Sequence, residues 1–115
     1  MSKHVLVCGG RSYADAEKVN SVLAAFDPAP DVIMQGGASG ADYLARRWAR
    51  HNSVFVMNYP ADWNRLGLQA GPRRNQQMLD EGKPDIVIVF AGGKGTADMT
   101  QRAKRAGIPV TEIPA

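Results

Sequence analysis

Three glycine-rich segments directly follow short apolar runs, and they carry residue types that bind phosphate. They are Gly9-Gly10-Arg11, Gly36-Gly37-Ala38-Ser39-Gly40-Ala41-Asp42 and Gly92-Gly93-Lys94-Gly95-Thr96-Ala97-Asp98. Each apolar run is typical of a β-strand, and each segment leads into residues with helical periodicity. Glycine lets the backbone approach a ligand closely, and the free N–H groups of a helix N-terminus favour an anion. The spacing therefore predicts a site for a phosphorylated ligand.

The elements that must position these loops alternate along the chain. Apolar runs predict strands over 5–8, 32–34, 54–57, 85–90 and 108–113. Helices are predicted after an Asp15 cap, from Gly40, over 73–81 and over 96–106, with Gly107 as a C-terminal cap. Right-handed crossovers between parallel strands bring all three glycine turns to one edge of the sheet. We predict a single Rossmann-like α/β domain over 1–115, doubly wound, with a five-stranded parallel sheet in the order 3-2-1-4-5.

The longest irregular stretch of the predicted structure runs from Asn58 to Pro72. Loops of that length in compact domains often carry function. Trp63 lies within it beside Asp62 and is a candidate for stacking on a base, although an anchoring role for the loop is equally consistent with the sequence.

Composition restricts the class of protein. The 115 residues carry a net charge of +3, one cysteine and two histidines, so an internal disulfide is excluded and no zinc-site spacing is present. No metal and no cofactor are predicted. The chain enters its first strand without a leader and has no apolar run near the length of a membrane span, which indicates a soluble cytoplasmic protein that does not contact membranes. The charge is compatible with nucleic acid and with phosphorylated small molecules.

Two common nucleotide-binding motifs are absent. After the first strand no third glycine follows Gly9 and Gly10, and Asp98 stands where the third glycine after Gly93 and Gly95 would fall. No Gly-Lys-Ser/Thr triplet with a preceding glycine at P-loop spacing occurs either. The sequence therefore disfavours both NAD binding and a nucleoside-triphosphatase cycle.

Four ordered motifs together resemble the YspA/YpsA-related branch of the SLOG superfamily, over nearly the whole chain. They are Gly36 to Asp42, Pro60-Ala61-Asp62-Trp63, Ala70-Gly71-Pro72-Arg73-Arg74-Asn75-Gln76-Gln77-Met78-Leu79, and Gly92 to Met99. The superfamily has a Rossmann-like nucleotide-binding fold and includes the Lonely-Guy phosphoribohydrolases, the DNA-processing protein of bacterial transformation, and sensor domains. The resemblance implies a nucleotide-like ligand at the glycine loops.

The chain departs from the hydrolase pattern. Lonely-Guy enzymes carry an arginine ahead of the fourth strand and the motif Pro-Gly-Gly-x-Gly-Thr-x-x-Glu, which match Arg74 here but place Ala91 at the proline and Met99 at the glutamate. The carboxylate of the family is missing, and one helical step rotates the neighbouring Asp98 by about 100°. Arg74 and Asp98 are the candidate catalytic residues, with Asp42 as another carboxylate; a protein without enzymatic activity is preferred.

The preferred function is binding of a nucleotide or nucleotide-derived ligand as a sensor or ligand-binding module, with weak nucleoside-monophosphate phosphoribohydrolase activity left open. The alternative is a nucleic-acid-binding protein whose basic helices contact phosphates, and it is disfavoured because no aromatic residues interleave the basic segments. A homo-oligomer is left open. Packing roles for the glycines and capping roles for Asp42 and Thr96 compete with ligand contact. The candidate ligand-binding residues are Gly9, Gly10, Arg11, Gly36, Gly37, Ser39, Gly40, Asp42, Trp63, Arg74, Asn75, Gly92, Gly93, Lys94, Gly95 and Thr96.

Overall fold

The computed structural model describes residues 3–115, which build one five-stranded parallel sheet. The strands are β1 (His4–Cys8), β2 (Val32–Gln35), β3 (Phe55–Asn58), β4 (Ile86–Val89) and β5 (Val110–Glu112). Their order is β3-β2-β1-β4-β5, and every neighbouring pair is parallel. The predicted Rossmann-like α/β fold and strand order are confirmed.

Helices cover both faces of the sheet. They are α1 (Ala16–Ala24), α2 (Ala41–His51), α3 (Trp63–Leu66), α4 (Ala70–Gly82) and α5 (Lys94–Arg105). In β1 alternate side chains point to opposite faces, so Val5 and Val7 pack in the core under α1 and α2, whereas Leu6 and Cys8 pack in the core under α4 and α5. Each face is sealed by the apolar side of one helix pair.

The stretch predicted to be irregular from Asn58 to Pro72 is partly helical, and that prediction is wrong. Asp62 caps α3 by accepting the backbone N–H of Arg65, a 3₁₀ turn follows at Gly67–Gln69, and α4 begins at Ala70 rather than Arg73. Pro72 is the third residue of α4, where its missing N–H removes no intrahelical hydrogen bond. A proline marks a helix start here.

Other boundaries move by a few residues. Strand β3 is displaced one residue from the predicted 54–57, β5 is shorter than 108–113, and α5 begins at Lys94 instead of Thr96. Asp15 caps α1 by accepting the Lys18 N–H at 3.0 Å, as predicted. Gly107 adopts φ +75° directly after the Ala106 C-cap of α5, the left-handed conformation expected there. No helix within residues 3–115 is both long and apolar enough to cross a membrane.

Candidate functional site

The three glycine loops meet at the carboxyl edge of the sheet. The Gly10 N–H donates to the carbonyl oxygen of Ala91 at 2.9 Å, which joins the loops after β1 and β4. The Gly10 carbonyl in turn accepts the Ala41 N–H at 3.2 Å, which joins the loop after β1 to the start of α2. The predicted gathering of these loops at one edge is therefore observed.

Most of the glycines in these loops are required by the packing of the protein itself. An added Cβ at Gly9 would lie 2.7 Å from the Ala41 Cβ, and one at Gly10 would lie 3.0 Å from the Ala91 carbonyl oxygen. A Cβ at Gly40 would meet the backbone of Gly10 and Arg11. Gly36 and Gly92 are similarly closed, by the guanidinium of Arg74 and by the Thr96 side chain. Close approach of one loop to another accounts for Gly9, Gly10, Gly40 and Gly92, whereas the Arg74 side chain from α4 closes Gly36.

The first three N–H groups of the loop after β2, those of Gly36, Gly37 and Ala38, have acceptors within the protein. One carboxylate oxygen of buried Asp42 accepts the N–H groups of Gly36 and Ala38, at 3.1 and 3.2 Å. The Gly37 N–H donates to the side-chain oxygen of Gln35 at 2.7 Å. Burial raises the pKa of Asp42, and the hydrogen bonds from Ala38 and Gly36 and the charge of Arg74 oppose that shift. An internal carboxylate thus occupies the concave face that an anion would take.

The loop after β4 has free space at two of its glycines and backbone N–H groups without an acceptor in the described part of the chain. Gly93 caps α5 without a side-chain hydrogen bond, and an added Cβ at Gly93 or Gly95 would meet nothing within 4 Å. Among the described residues, no protein group accepts from the N–H groups of Lys94, Gly95 or Thr96. These orphan donors and the positive end of the α5 dipole face solvent. This loop can therefore offer backbone N–H groups to a ligand.

Arg74 is the central cation of the site. Its Nη1 donates to the Gly36 carbonyl at 2.6 Å and to the Tyr59 carbonyl at 3.3 Å, and its Nε donates to the Asn75 side-chain oxygen at 3.1 Å. Burial lowers the pKa of Arg74; the negative charge of Asp42 opposes that shift, and the positive charge of Arg11 adds to it. Arginine remains charged under these conditions. Its Nη2 has no hydrogen-bond partner within residues 3–115.

Arg11 and Trp63 complete a cleft above the loop after β2. The Arg11 guanidinium lies 5.2 Å from the centre of the Trp63 ring, in cation–π contact, and Trp63 is 44% exposed. The Ser39 hydroxyl donates to the Arg11 carbonyl at 3.0 Å and fixes the backbone beneath this pair. We call this space, of about 240 Å³, the arginine cleft; it is lined by Arg11, Gly36, Gly37, Ala38, Ser39, Pro60, Ala61, Trp63 and Arg74.

A hydrogen-bonded chain connects α5 to Arg74. The Asp98 carboxylate accepts from Arg102 Nε at 2.8 Å and from Asn75 Nδ2 at 3.0 Å, and Asn75 Nδ2 also lies 3.3 Å from the Gly95 carbonyl. Burial alone would raise the pKa of Asp98, but the hydrogen bonds from Arg102 and Asn75 hold that pKa below its usual value. Asn75 is therefore buried as an orienting residue for Arg74, and Asp98 is an ionised partner of Arg102.

Two polar residues next to the loop after β2, Gln35 and Arg46, were not predicted from the sequence to take part in the site. Gln35 is fully buried; its amide donates to Asn58 at 2.8 Å, and its oxygen accepts from Arg46 at 2.8 Å. Arg46 lies off the apolar stripe of α2 and would be assigned to a solvated face by periodicity, yet it also binds the Ala38 carbonyl at 3.1 Å. The one available signal was a glutamine at the buried end of β2, since a buried amide requires partners.

Cys8 is a buried thiol at the end of β1. Burial raises its pKa to about 12, and the charge of Asp42 adds to that shift while Arg74 opposes it. We predict that thiol reagents leave the native protein unmodified at neutral pH and react stoichiometrically only after denaturation. Mass spectrometry after iodoacetamide treatment, with and without urea, measures this. Rapid labelling of folded protein would contradict the assigned environment.

Comparison with known proteins agrees with this fold. Residues 3–66 match the family described as YAcAr, the YspA, cpYpsA-related SLOG family. The Gene 61 protein of Mycobacterium phage D29 is 36% identical over 118 residues, which cover 94% of each chain. The crystal structure of DNA processing protein A from Streptococcus pneumoniae superposes with a TM-score of 0.79 at 24% identity. That match covers 99% of this chain, which spans about half (51%) of the streptococcal chain. This chain belongs to the YspA, cpYpsA-related SLOG family.

Proposed function

We propose that this protein binds a nucleotide or nucleotide-derived ligand at the glycine-loop edge, as a sensor or ligand-binding module. The observation that carries the proposal is the arginine cleft, where Arg11 and Arg74 face the same space and neither forms an ion pair with a carboxylate within residues 3–115. The buried carboxylate of Asp42 partly balances the charge of Arg74, and an anion in the cleft would be attracted by both arginines. A phosphate supplies that anion.

The cleft matches the remaining chemistry of a nucleotide. The free Nη2 of Arg74 and the guanidinium of Arg11 can each donate to phosphate oxygens. The exposed Trp63 ring offers a face on which a base stacks, provided that the base replaces Arg11 there. The open N–H groups of Lys94 to Thr96 lie on the loop that Gly10 ties to the β1 turn, where they can serve a second oxygen-rich group.

Calorimetric titration tests the proposal with three probes. Adenosine 5′-monophosphate is expected to bind more tightly than adenosine or inorganic phosphate, because only the nucleotide uses both the arginines and Trp63. Trp63→Phe is expected to retain phosphate-dependent binding and to lose the tryptophan fluorescence change, leaving the buried Trp48 as a silent background. Equal affinity for adenosine and adenosine 5′-monophosphate would contradict the proposal that the cleft binds a phosphate.

The surroundings of α5 favour binding without turnover. Met99, at the position of the hydrolase glutamate, is fully buried in the apolar cluster with Leu6 and Cys8. Asp98 is held by Arg102 and Asn75 with a lowered pKa, so it is ionised at neutral pH and cannot donate a proton to a leaving base. Cleavage of an N-glycosidic bond needs a carboxylate directed at the sugar.

We therefore predict no adenine release from adenosine 5′-monophosphate above the rate without protein. Asp98→Asn is expected to weaken nucleotide binding rather than change any release rate, because it removes the ion pair with Arg102 and disturbs Asn75. Chromatography of free base over a time course measures this. Protein-dependent release that Asp98→Asn eliminates would assign the protein as a phosphoribohydrolase.

One observation favours nucleic-acid binding as a second candidate function. The chain shares its fold with a structure named as a DNA processing protein, and the tertiary structure brings Trp63 among Arg11 and Arg74 although they are distant in sequence. Aromatic rings within basic grooves are the stacking platforms of single-strand binding proteins. Arg46 and Arg102, in contrast, are engaged internally and are poorly placed for such contacts.

Salt dependence separates the two functions. A mononucleotide held by two arginines is expected to lose affinity only modestly between low and physiological ionic strength. A single strand that contacts several phosphates would lose affinity with a logarithmic slope of about 0.7 per contact. Fluorescence anisotropy of a labelled oligonucleotide across a salt series measures the slope. Tight, steeply salt-dependent binding of the strand together with no mononucleotide affinity would select the second function.

A further inference from the structure

We propose that the ligand carries a second phosphate, which binds in a cleft between α3 and α4 next to the arginine cleft. This outer cleft is lined by Asp62, Arg65, Arg73, Arg74 and Gln77, together with apolar residues. The inference rests on the proposed nucleotide binding and adds the class of nucleotide, one with two phosphates.

The two clefts are neighbours. Both are lined by Pro60, Ala61 and Arg74, so Arg74 is shared between them. Their volumes are about 240 and 220 Å³. Each alone is smaller than the roughly 300 Å³ at which small-ligand pockets begin, whereas the joined space exceeds it. A ligand that fills a site of ordinary size here must therefore extend from one cleft into the other.

The charge of the outer cleft selects an anion. Three arginines, Arg65, Arg73 and Arg74, line it, and Asp62 is its one acidic residue. That carboxylate is engaged: it accepts the backbone N–H of Arg65 at 3.2 Å and Arg65 Nε at 3.1 Å. Arg73 is exposed and forms no ion pair within residues 3–115. After that one pairing, the positive charge of Arg73 remains for a ligand, together with that of Arg74, which buried Asp42 partly balances.

Two other clefts at the ends of the strands lack such an excess. The space between the loops after β1 and β4 contains Arg11 but also Asp15, and the space beside β5 contains Glu112 with no cation. The arginines that line the two clefts and form no ion pair within residues 3–115 are therefore Arg11, Arg74 and Arg73. A phosphate in each cleft, with the base against Trp63, uses every one of these groups.

Titration of the full chain with a ligand series tests this inference. The probes are adenosine 5′-monophosphate, adenosine 5′-diphosphate, in which the phosphates are adjacent, and the 5′-phosphorylated adenosine dinucleotide, in which a sugar separates them. We expect at least one two-phosphate probe to bind about tenfold more tightly than the monophosphate, the equivalent of one charge-assisted hydrogen-bonded contact. The tighter of the two identifies the spacing.

Arg73→Ala localises the second phosphate. It is expected to remove the tenfold advantage and to leave monophosphate affinity within about twofold, because Arg73 lines only the outer of the two clefts. Arg50→Ala, an exposed arginine on α2 outside both clefts, is the matched charge control and should change neither affinity.

The outcomes are distinct. Binding of the monophosphate with no gain from either two-phosphate probe overturns this inference and leaves the proposed function intact. A gain that persists in Arg73→Ala also overturns it. Absence of monophosphate binding overturns the proposed function itself. If affinity rises further with each added nucleotide and does not depend on Arg73, the ligand is a nucleic-acid strand and not a two-phosphate nucleotide.

Discussion

Gly40→Ala is expected to lower the free energy of unfolding by about 3 kcal/mol or more. Gly40 has φ +73° and ψ −129°, a conformation that side chains disfavour, and a Cβ added there would meet the backbone of Gly10 and Arg11. Backbone atoms cannot rotate away as a flexible side chain can, so both loops must shift. Urea denaturation followed by circular dichroism measures the change.

Gly95→Ala is the matched control on the other loop. Gly95 lies within α5 and an added Cβ would meet nothing within 4 Å, so alanine is expected to raise stability by roughly 0.5 kcal/mol. A Gly40→Ala protein as stable as the unsubstituted chain would refute the packing role of that glycine. The pair separates glycines required by the fold from a glycine that the fold leaves free.

Replacing Arg74 is expected to cause the largest loss of ligand affinity. Arg74→Met should weaken binding of adenosine 5′-monophosphate by about a hundredfold, and Arg74→Lys by about tenfold, since lysine keeps the charge but cannot reproduce the planar set of donors. The same changes leave the Gly36 and Tyr59 carbonyls without their donor, which costs about 1–3 kcal/mol of stability. Calorimetry on variants shown to be folded measures the affinities.

Arg50→Ala again provides the control, because it removes one positive charge from the protein far from the arginine cleft. If Arg74→Met folds and binds the monophosphate as tightly as the unsubstituted chain, Arg74 serves only to hold the loop after β2. In that case its three hydrogen bonds to protein oxygens are its whole role.

The architecture was predictable because its signals are local. Apolar runs, each followed by a turn and a helical period, are enough to define a parallel sheet, and the right-handed crossover rule fixes the strand order. The structure of the segment from Asn58 to Pro72 was not predictable in this way. The short helix α3 depends on the Asp62 cap, and α4 starts before Pro72. Proline and glycine in that segment are typical of a loop, but the first turn of a helix also accepts both residue types.

The gathering of the candidate residues at one edge of the sheet was predictable, but the hydrogen-bond partners of the individual residues were less so. The sequence places Asp42, Asn75 and Asp98 near the loops, and in the structure all three bind protein groups. Residue type and spacing do not distinguish a side chain that hydrogen-bonds to protein backbone from a side chain that binds a ligand. Arg46 and Gln35 were missed for a related reason, since their partnership requires β2 and α2 to be packed first.

The hydrogen bonds of the loop after β2 have a consequence for how fast its backbone amides exchange with solvent. Gly36, Gly37 and Ala38 are held by Asp42 and Gln35, so their amide hydrogens should exchange with solvent slowly for a glycine-rich turn. The amides of Lys94 and Gly95, which face solvent, should exchange at rates near those of an unfolded peptide. Two loops of nearly the same sequence are thus expected to differ in amide exchange, because one has hydrogen-bond acceptors for these N–H groups within the protein and, among the described residues, the other does not.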